Sequence, residues 1–174
     1  LFILKPLYQR SIIVAAGPLA NFFLAIIIFA MINMIVGKDG QSLRKKWQSE
    51  GTKTFLGIHS NGFPNLFIVT GPQGGGGSFN FTEAIETHSD YLIWILETMR
   101  DQGVGVVDIK KEHENEYAEH CRAVDISTSA FRDCISYYNG EGKAEPGSLS
   151  YYGGGQWHKY RANAEQTLDP YMFK

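Results

Sequence analysis

The part of this 174-residue chain best suited to chemistry is a glycine-rich turn followed at once by a helix start. Gly71-Pro72-Gln73-Gly74 opens a run of glycines that ends at Ser78, and Asn80, Phe81 and Thr82 follow. Glycine lets backbone approach a ligand closely. The first amides of a helix have no intrahelical acceptor and attract anionic or partly negative groups. Asn80, with Glu83 three residues on, reads as an N-cap and capping box. The run is not G-x-G-x-x-G, because Phe79 stands where the last Gly would be, and no G-K-[ST] ends it as in a nucleotide phosphate loop. The residues alone leave two readings open. One is a backbone site for a partly negative ligand, and the other is a flexible loop with no ligand.

Other candidates carry less chemistry. His113-Glu114-Asn115-Glu116-Tyr117 is the nearest string to H-E-x-x-H, in which two His one helical turn apart hold zinc and Glu acts as base. Tyr117 replaces the second His, and the string reads as a solvated helix face. His113 and His120 share a helix face, with Cys121 beside them. Zinc needs three or four ligands, and no third residue has matching spacing, so no metal site is expected. No G-x-S-x-G elbow is present to carry a nucleophilic serine. Trp47, Trp94 and Trp157 read as core or interface. Tyr151, Tyr152, Trp157 and Tyr160 fit the edge of an apolar pocket, or a core.

Around the glycine turn, the pattern predicts the elements that would position it. Asn65 to Thr70 (NLFIVT) is a short apolar, β-branched run and reads as a buried strand. Ile85, Leu92, Ile95, Leu96 and Met99 follow at helical spacing, and Gly103 is a suitable stop, which predicts a helix near 81–102. Val104 to Ile109 reads as a strand and residues 110–124 as a charged helix with Tyr117 and Cys121 turned inward. The order is strand, glycine-rich turn, helix, strand. Lys38 to Gly51 is charged and reads as a connector.

The first 37 residues are of another kind. From Ser11 to Gly37 no residue is charged, and a run of roughly 20 apolar residues suffices to cross a bilayer. The run exceeds a secretory h-region, which takes about 7–15 residues, and no A-x-A-like site ends it. Pro18 favours a helix beginning there and running to Val36. Ile26, Ile27, Ile28, Phe29, Met31, Ile32 and Ile35 make it apolar all round. Orientation stays open, since Lys5 and Arg10 on one side face Lys38, Arg44, Lys45 and Lys46 on the other. KPLYQRSIIVAAGPLANFFLAIIIF resembles membrane-embedded zinc proteases of the site-2 type, and Gly17, Pro18 and Asn21 match their G-P-x-x-N segment. That family's zinc-binding motifs have no match here.

Longer wording in the body resembles a second family. NGFPNLFIVTGPQG, the AIETH after it, and ISYYNGEGKAEPGSLSYYGGGQWHKYR are similar to the C-terminal part of flavin-dependent Baeyer–Villiger monooxygenases of the cyclohexanone-monooxygenase type. The likeness runs collinearly from about Asp39 to Phe173. It implies an enzyme that uses FAD and NADPH to insert one oxygen atom beside a ketone carbonyl. It also implies that Gln73, Gly74, Asn80, Phe81 and Thr82 lie close to the flavin ring. Reduced flavin and its peroxide are anionic, and a helix N-terminus stabilises that charge. Tyr137, in Ser136-Tyr137-Tyr138-Asn139-Gly140, takes the place of a Trp that touches the nicotinamide cofactor in that family. Tyr151 to Arg161 matches a stretch near the substrate cavity, or else a packed loop. Both Rossmann glycine fingerprints and the F-x-G-x-x-x-H-x-x-x-W-P signature are missing from these residues, so the FAD pyrophosphate has no cradle here.

Bulk numbers fit this division. The chain holds 16 basic and 18 acidic residues, and residues 1–37 contribute only Lys5 and Arg10, which leaves 14 basic and 18 acidic residues beyond them. An acidic body argues against nucleic acid, whose phosphates need a basic face. Cys121 and Cys134 are too few for a disulfide framework and read as free thiols. The first residue, Leu1, suggests a truncated start. The expected fold class is an α/β fragment, an incomplete FAD/NAD(P)-binding-type domain, with one N-terminal transmembrane-type helix. The expected divisions are a membrane segment at 1–37, a connector at 38–51 and the monooxygenase-like region at 52–174. The chain alone is expected to be an inactive part of an oxidoreductase and its body to be marginally stable with a loop-rich end. Alternatives are a zinc-protease fragment or a membrane-anchored interaction domain. Residues 11–37 imply membrane association; without them the expectation is cytoplasmic. The change of wording near Gly37–Gly40 suggests a join of incomplete parts.

Overall fold

Caps written in the sequence set where the helices begin. Ser42 caps α1, Leu43–Glu50, its Oγ accepting from the Lys45 amide at 3.3 Å. Asn80 caps α2, Phe81–Gln102, its Oδ1 accepting from the Thr82 amide at 2.9 Å. Gly103 ends α2 in the left-handed conformation, φ +66°, its amide reaching the last carbonyls of the helix. β1, Val107–Ile109, leads into α3, Lys111–Val124. Among the described residues, helix α4, Gln156–Thr167, and strand β2, Tyr171–Phe173, come last.

The computed structural model describes residues 20–24, 26, 35–74, 80–124 and 156–174, and the chain divides into two units, Leu1–Ile35 and Val36–Lys174. In the first unit, residues 20–24 and 26 are helical, and the Phe22 and Phe23 rings meet edge-on at 6.3 Å. Most of the membrane helix expected from Pro18 to Val36 lies outside the described residues. Among the described residues, no helix is long and apolar enough to cross a membrane. Residues 75–79, Cys134, Tyr137, Tyr138, Tyr151 and Tyr152 also lie outside them.

In the second unit, β1 and β2 form a two-stranded antiparallel sheet, with Val107 opposite Phe173 and Ile109 opposite Tyr171. Lys174 and Val106 extend the pairing with reciprocal amide–carbonyl bonds of 2.9 Å. The core gathers Phe55, Leu56 and Ile58 from the segment before the glycine turn, Tyr91, Ile95 and Met99 from α2, Tyr117 and Cys121 from α3, Trp157 and Ala164 from α4, and Tyr171 from β2. Tyr117 and Cys121 turn inward as the sequence predicts.

Three expectations are corrected. Asn65–Thr70 is not a strand: left-handed Asn65 (φ +57°) and Thr70 (φ +53°) bracket it, and its backbone bonds go singly, Asn65 N–H to Val107 O and Ile68 N–H to Ile58 O. The strand–turn–helix–strand order is therefore not built; the sheet closes with the C-terminal strand instead. Residues 38–51 do not merely connect, since α1 buries Leu43 and Lys46 against the body. Of the end expected to be loop-rich, residues 125–155 lie outside the described residues, and α4 and β2 occupy most of 156–174. Helix α4 is hard to read from sequence because only Trp157 and Ala164 of its twelve residues are buried, too few to make an apolar period.

Candidate functional site

The glycine turn is built by close approach of two bends. Phe55 and His59 pair across a tight turn, and Gly57 at its tip has φ +73°. Gly71 donates its amide to Gly57 O at 3.0 Å, and Gly74 donates to Gly71 O at 3.0 Å. A side chain on Gly57 would strike the Gly74 backbone, and one on Gly74 would sit 2.6 Å from His88 Cε1. Packing between protein segments therefore already requires glycine at these two positions.

Two side chains hold the turn. Gln73 is fully buried, φ +65°, with Oε1 accepting from the Thr54 amide at 2.9 Å and from Thr54 Oγ1 at 3.2 Å. Its Nε2 donates to Thr52 O at 3.3 Å, and its carbonyl accepts from Tyr117 Oη at 2.9 Å. From α2, His88 reaches both ends of the turn. The Thr70 amide donates to His88 Nδ1 at 3.0 Å, and His88 Nε2 lies 2.9 Å from Gly74 O. An amide can only donate, so Nδ1 must be the acceptor and Nε2 must carry the proton. The ring stacks on Trp157, centroids 5.2 Å apart and planes 8° from parallel, and Trp157 Nε1 donates to Leu56 O at 2.9 Å. Burial lowers the His88 pKa to about 4, so the ring is neutral near pH 7.

The start of α2 is different. Asn80, Phe81 and Thr82 are exposed, and Phe81 retains 67% of its surface. Asn80 has taken the Thr82 amide. The remaining first-turn amides lie at the positive end of a 22-residue helix, where negative charge is favoured. Of the six predicted site residues, the structure thus places Gln73 and Gly74 inside, Asn80, Phe81 and Thr82 on the surface, and Tyr137 outside the described residues.

His113-Glu114-Asn115-Glu116-Tyr117, read as a solvated face, is half interior. Glu114 and Tyr117 are fully buried. Glu114 accepts from Lys46 Nζ with both oxygens at 2.8 Å, and its Oε1 also accepts from Ser60 Oγ and the Asn61 amide at 2.9 Å. Lys46 in turn donates to Ser60 Oγ and Asn61 O. A carboxylate so engaged is a strut between α1, α3 and the 60–61 turn. His113, His120 and Cys121 do not converge: His113 Nε2 lies 3.0 Å from Asp169, His120 packs on Tyr160, and Cys121 is in the core.

Sequence reasoning missed His88, Gln73's inward role and a buried chain in which Tyr91 Oη meets Tyr171 Oη at 2.6 Å and Tyr171 Oη meets His59 Nε2 at 3.3 Å. Burial lowers His59 to about 3. For His88 a signal existed: it lies on the stripe Ala84, His88, Tyr91, Ile95, Met99, the face that α2 buries. Cavities of about 230 and 180 Å³ lie elsewhere, one lined by residues including Asp39, Lys46 and Glu50, the other by Lys38, Pro64 and Met172 among others.

Comparison with known proteins gives the chain two overlapping likenesses. The sequence profile described as peptidase family M50 matches residues 2–145. The chain belongs to peptidase family M50. The M50 profile overlaps a second likeness across most of the body. A Baeyer–Villiger monooxygenase of Pseudomonas aeruginosa is 32% identical over 108 residues, 60% of this chain and 20% of that protein. The closed crystal structure of a cyclohexanone monooxygenase is 28% identical with a TM-score of 0.63, covering 80% of this chain and 26% of that one. The OTEMO complex with FAD and NADP has a TM-score of 0.65 at 22% identity, covering 80% of this chain and 26% of that one, and shows the fold alone. The chain spans about a fifth of the length of the curated relatives it matches. Within these 174 residues the string nearest to the peptidase zinc motif is His113–Tyr117, and its Glu114 is bound to Lys46.

Proposed function

We propose that residues from about 39 to 174 are the C-terminal portion of an FAD- and NADPH-dependent Baeyer–Villiger-type monooxygenase acting on ketones, inactive as this chain alone. The observation that carries it is the cyclohexanone monooxygenase fold over 80% of the chain at 28% identity. The residues present suit one end of FAD. Asn80, Phe81 and Thr82 offer an exposed helix start to a ring that becomes anionic, and Gln73 and Gly74 hold the adjoining turn. Because Gln73 and Gly74 are buried, they act as the frame of the site, while the helix start meets the ring. In the sequence, Tyr137 takes the position of a Trp that touches the nicotinamide cofactor in that family. No glycine fingerprint for a pyrophosphate occurs among these residues, so flavin binding is weak.

Two measurements test this reading on the full 174-residue chain in detergent. Titration with FAD and with FMN is expected to shift the amide resonances of Asn80–Thr82 and Gly74 and to leave Ile109 and Cys121 unmoved. No shift at millimolar flavin, or equal shifts everywhere, would overturn it. Stoichiometric bound FAD with ketone-dependent NADPH oxidation would overturn the inactivity. A second reading rests on the M50 profile, which begins at residue 2: residues 11–37 are a membrane segment of peptidase type that anchors the chain. Retention of the chain in membranes after carbonate washing supports it, and release into the wash counts against it.

A further inference from the structure

The candidate cofactor surface has two parts, the Thr70–Gly74 turn and the start of α2, and one side chain ties them together. His88 sits in the second turn of α2, is 2% exposed, and uses both ring nitrogens on the turn: Nδ1 for the Thr70 amide at 3.0 Å and Nε2 for the Gly74 carbonyl at 2.9 Å. Its ring lies flat on Trp157, which is itself bonded to Leu56 O, so neither rotation of the ring nor translation of the turn is free. Gly74 has no side chain where His88 Cε1 stands, so turn and imidazole fit at contact distance.

We propose that His88, as the Nε2–H tautomer, is the positioning residue of this surface: it fixes the Thr70–Gly74 turn against α2 and so sets the geometry in which turn and helix start together meet a flavin. This rests on the monooxygenase reading for its ligand, but not for the clamp itself. A merely space-filling histidine would keep the turn in place through stacking alone. A clamp depends on an acceptor facing the Thr70 amide. Asparagine offers an acceptor near the Nδ1 position, whereas leucine fills the space and offers none.

The test uses the full chain in detergent, with H88L and H88N beside the parent. Imidazole nitrogen shifts at pH 7 should show a bare Nδ1 and a protonated Nε2. Exchange of the Thr70 amide should quicken about fivefold in H88L, the loss of one hydrogen bond of roughly 1 kcal/mol, and return toward the parent in H88N. Ile109 exchange, read in the same spectra, reports whether the core has changed. FMN titration then gives weaker binding by about tenfold in H88L and recovery in H88N. An Nδ1–H tautomer, or a Thr70 amide equally protected in H88L, overturns the clamp. Absence of FMN binding in the parent overturns the monooxygenase reading instead, and the tautomer and the Thr70 exchange still decide the clamp.

Discussion

Gln73 and Gly74 differ from Asn80, Phe81 and Thr82 in everything but their expected role. The resemblance implies that both groups lie close to a flavin ring. The first is buried and bonded to Thr52, Thr54, Gly71, Tyr117 and His88. The second is exposed and keeps a helix start facing outward. The difference teaches that a glycine-rich wording can serve two needs at once. The glycines before residue 75 answer to the close approach of the Gly57 bend, a matter of packing. Asn80, Phe81 and Thr82 answer to capping, which leaves peptide groups at the surface.

The contrast can be broken or sharpened by substitution. The largest effect should come from Glu114, which with Lys46 holds the 60–61 end of the framing segment. Glu114→Ala leaves the Lys46 ammonium buried without its carboxylate and should cost about 3–5 kcal/mol in chemical denaturation. A loss under about 1 kcal/mol would show that the frame does not depend on this strut.

Acid should act on the framing side alone. His59 and His88 are held below the ordinary 6.5, at about 3 and about 4, by burial. The unfolded rings take up protons below pH 6.5 while the folded ones stay neutral, so stability falls as pH drops from 6.5 to 4. Each ring contributes about 3 kcal/mol of that loss by pH 4. In H88N the slope of stability against pH between 6 and 4.5 should be shallower by one proton; an unchanged slope would mean that His88 does not stay neutral in the folded protein.

Gly74→Ala places a methyl 2.6 Å from His88 Cε1 and 3.0 Å from Gly71 O. Overpacking of this kind should cost about 1–3 kcal/mol and loosen the Thr70 amide. A neutral result would mean the turn can move away, and the frame would then be looser than its bonds imply. The smallest effect belongs to the exposed side. Asn80→Ala removes one cap bond and should cost about 1 kcal/mol, with fraying confined to the first turn of α2 in amide exchange. Destabilisation as large as that of Gly74→Ala would erase the distinction between the two groups.

Several elements were legible because they rest on local chemistry. Asn80 and Gly103 bounded α2, and Tyr117 and Cys121 marked the inner face of α3. The helical spacing of Ile85, Leu92, Ile95, Leu96 and Met99 marked α2 but not the face it buries. Ile95 and Met99 are buried, but Ile85 and Leu96 are 39% and 49% exposed. The helix carries two adjoining apolar stripes, and sequence periodicity cannot say which one meets the body. His88 was passed over for the same reason, since a polar ring on an inward stripe gains meaning only when Thr70, Gly74 and Trp157 surround it.

By itself, then, the sequence determined the helix caps, the glycine turn, the uncharged head and the resemblance of the body to flavin monooxygenases, because each is a property of neighbours along the chain. Tertiary structure alone decided that Asn65–Thr70 lies as a bracketed bend rather than a strand. It paired β1 with a strand more than sixty positions away in the numbering, Val107 against Phe173. It turned Glu114 from a supposed surface residue into a buried strut, and it sorted the candidate site into a frame and a face. These outcomes depend on which distant groups arrive to accept a hydrogen bond or exclude water, and local spacing carries no record of them.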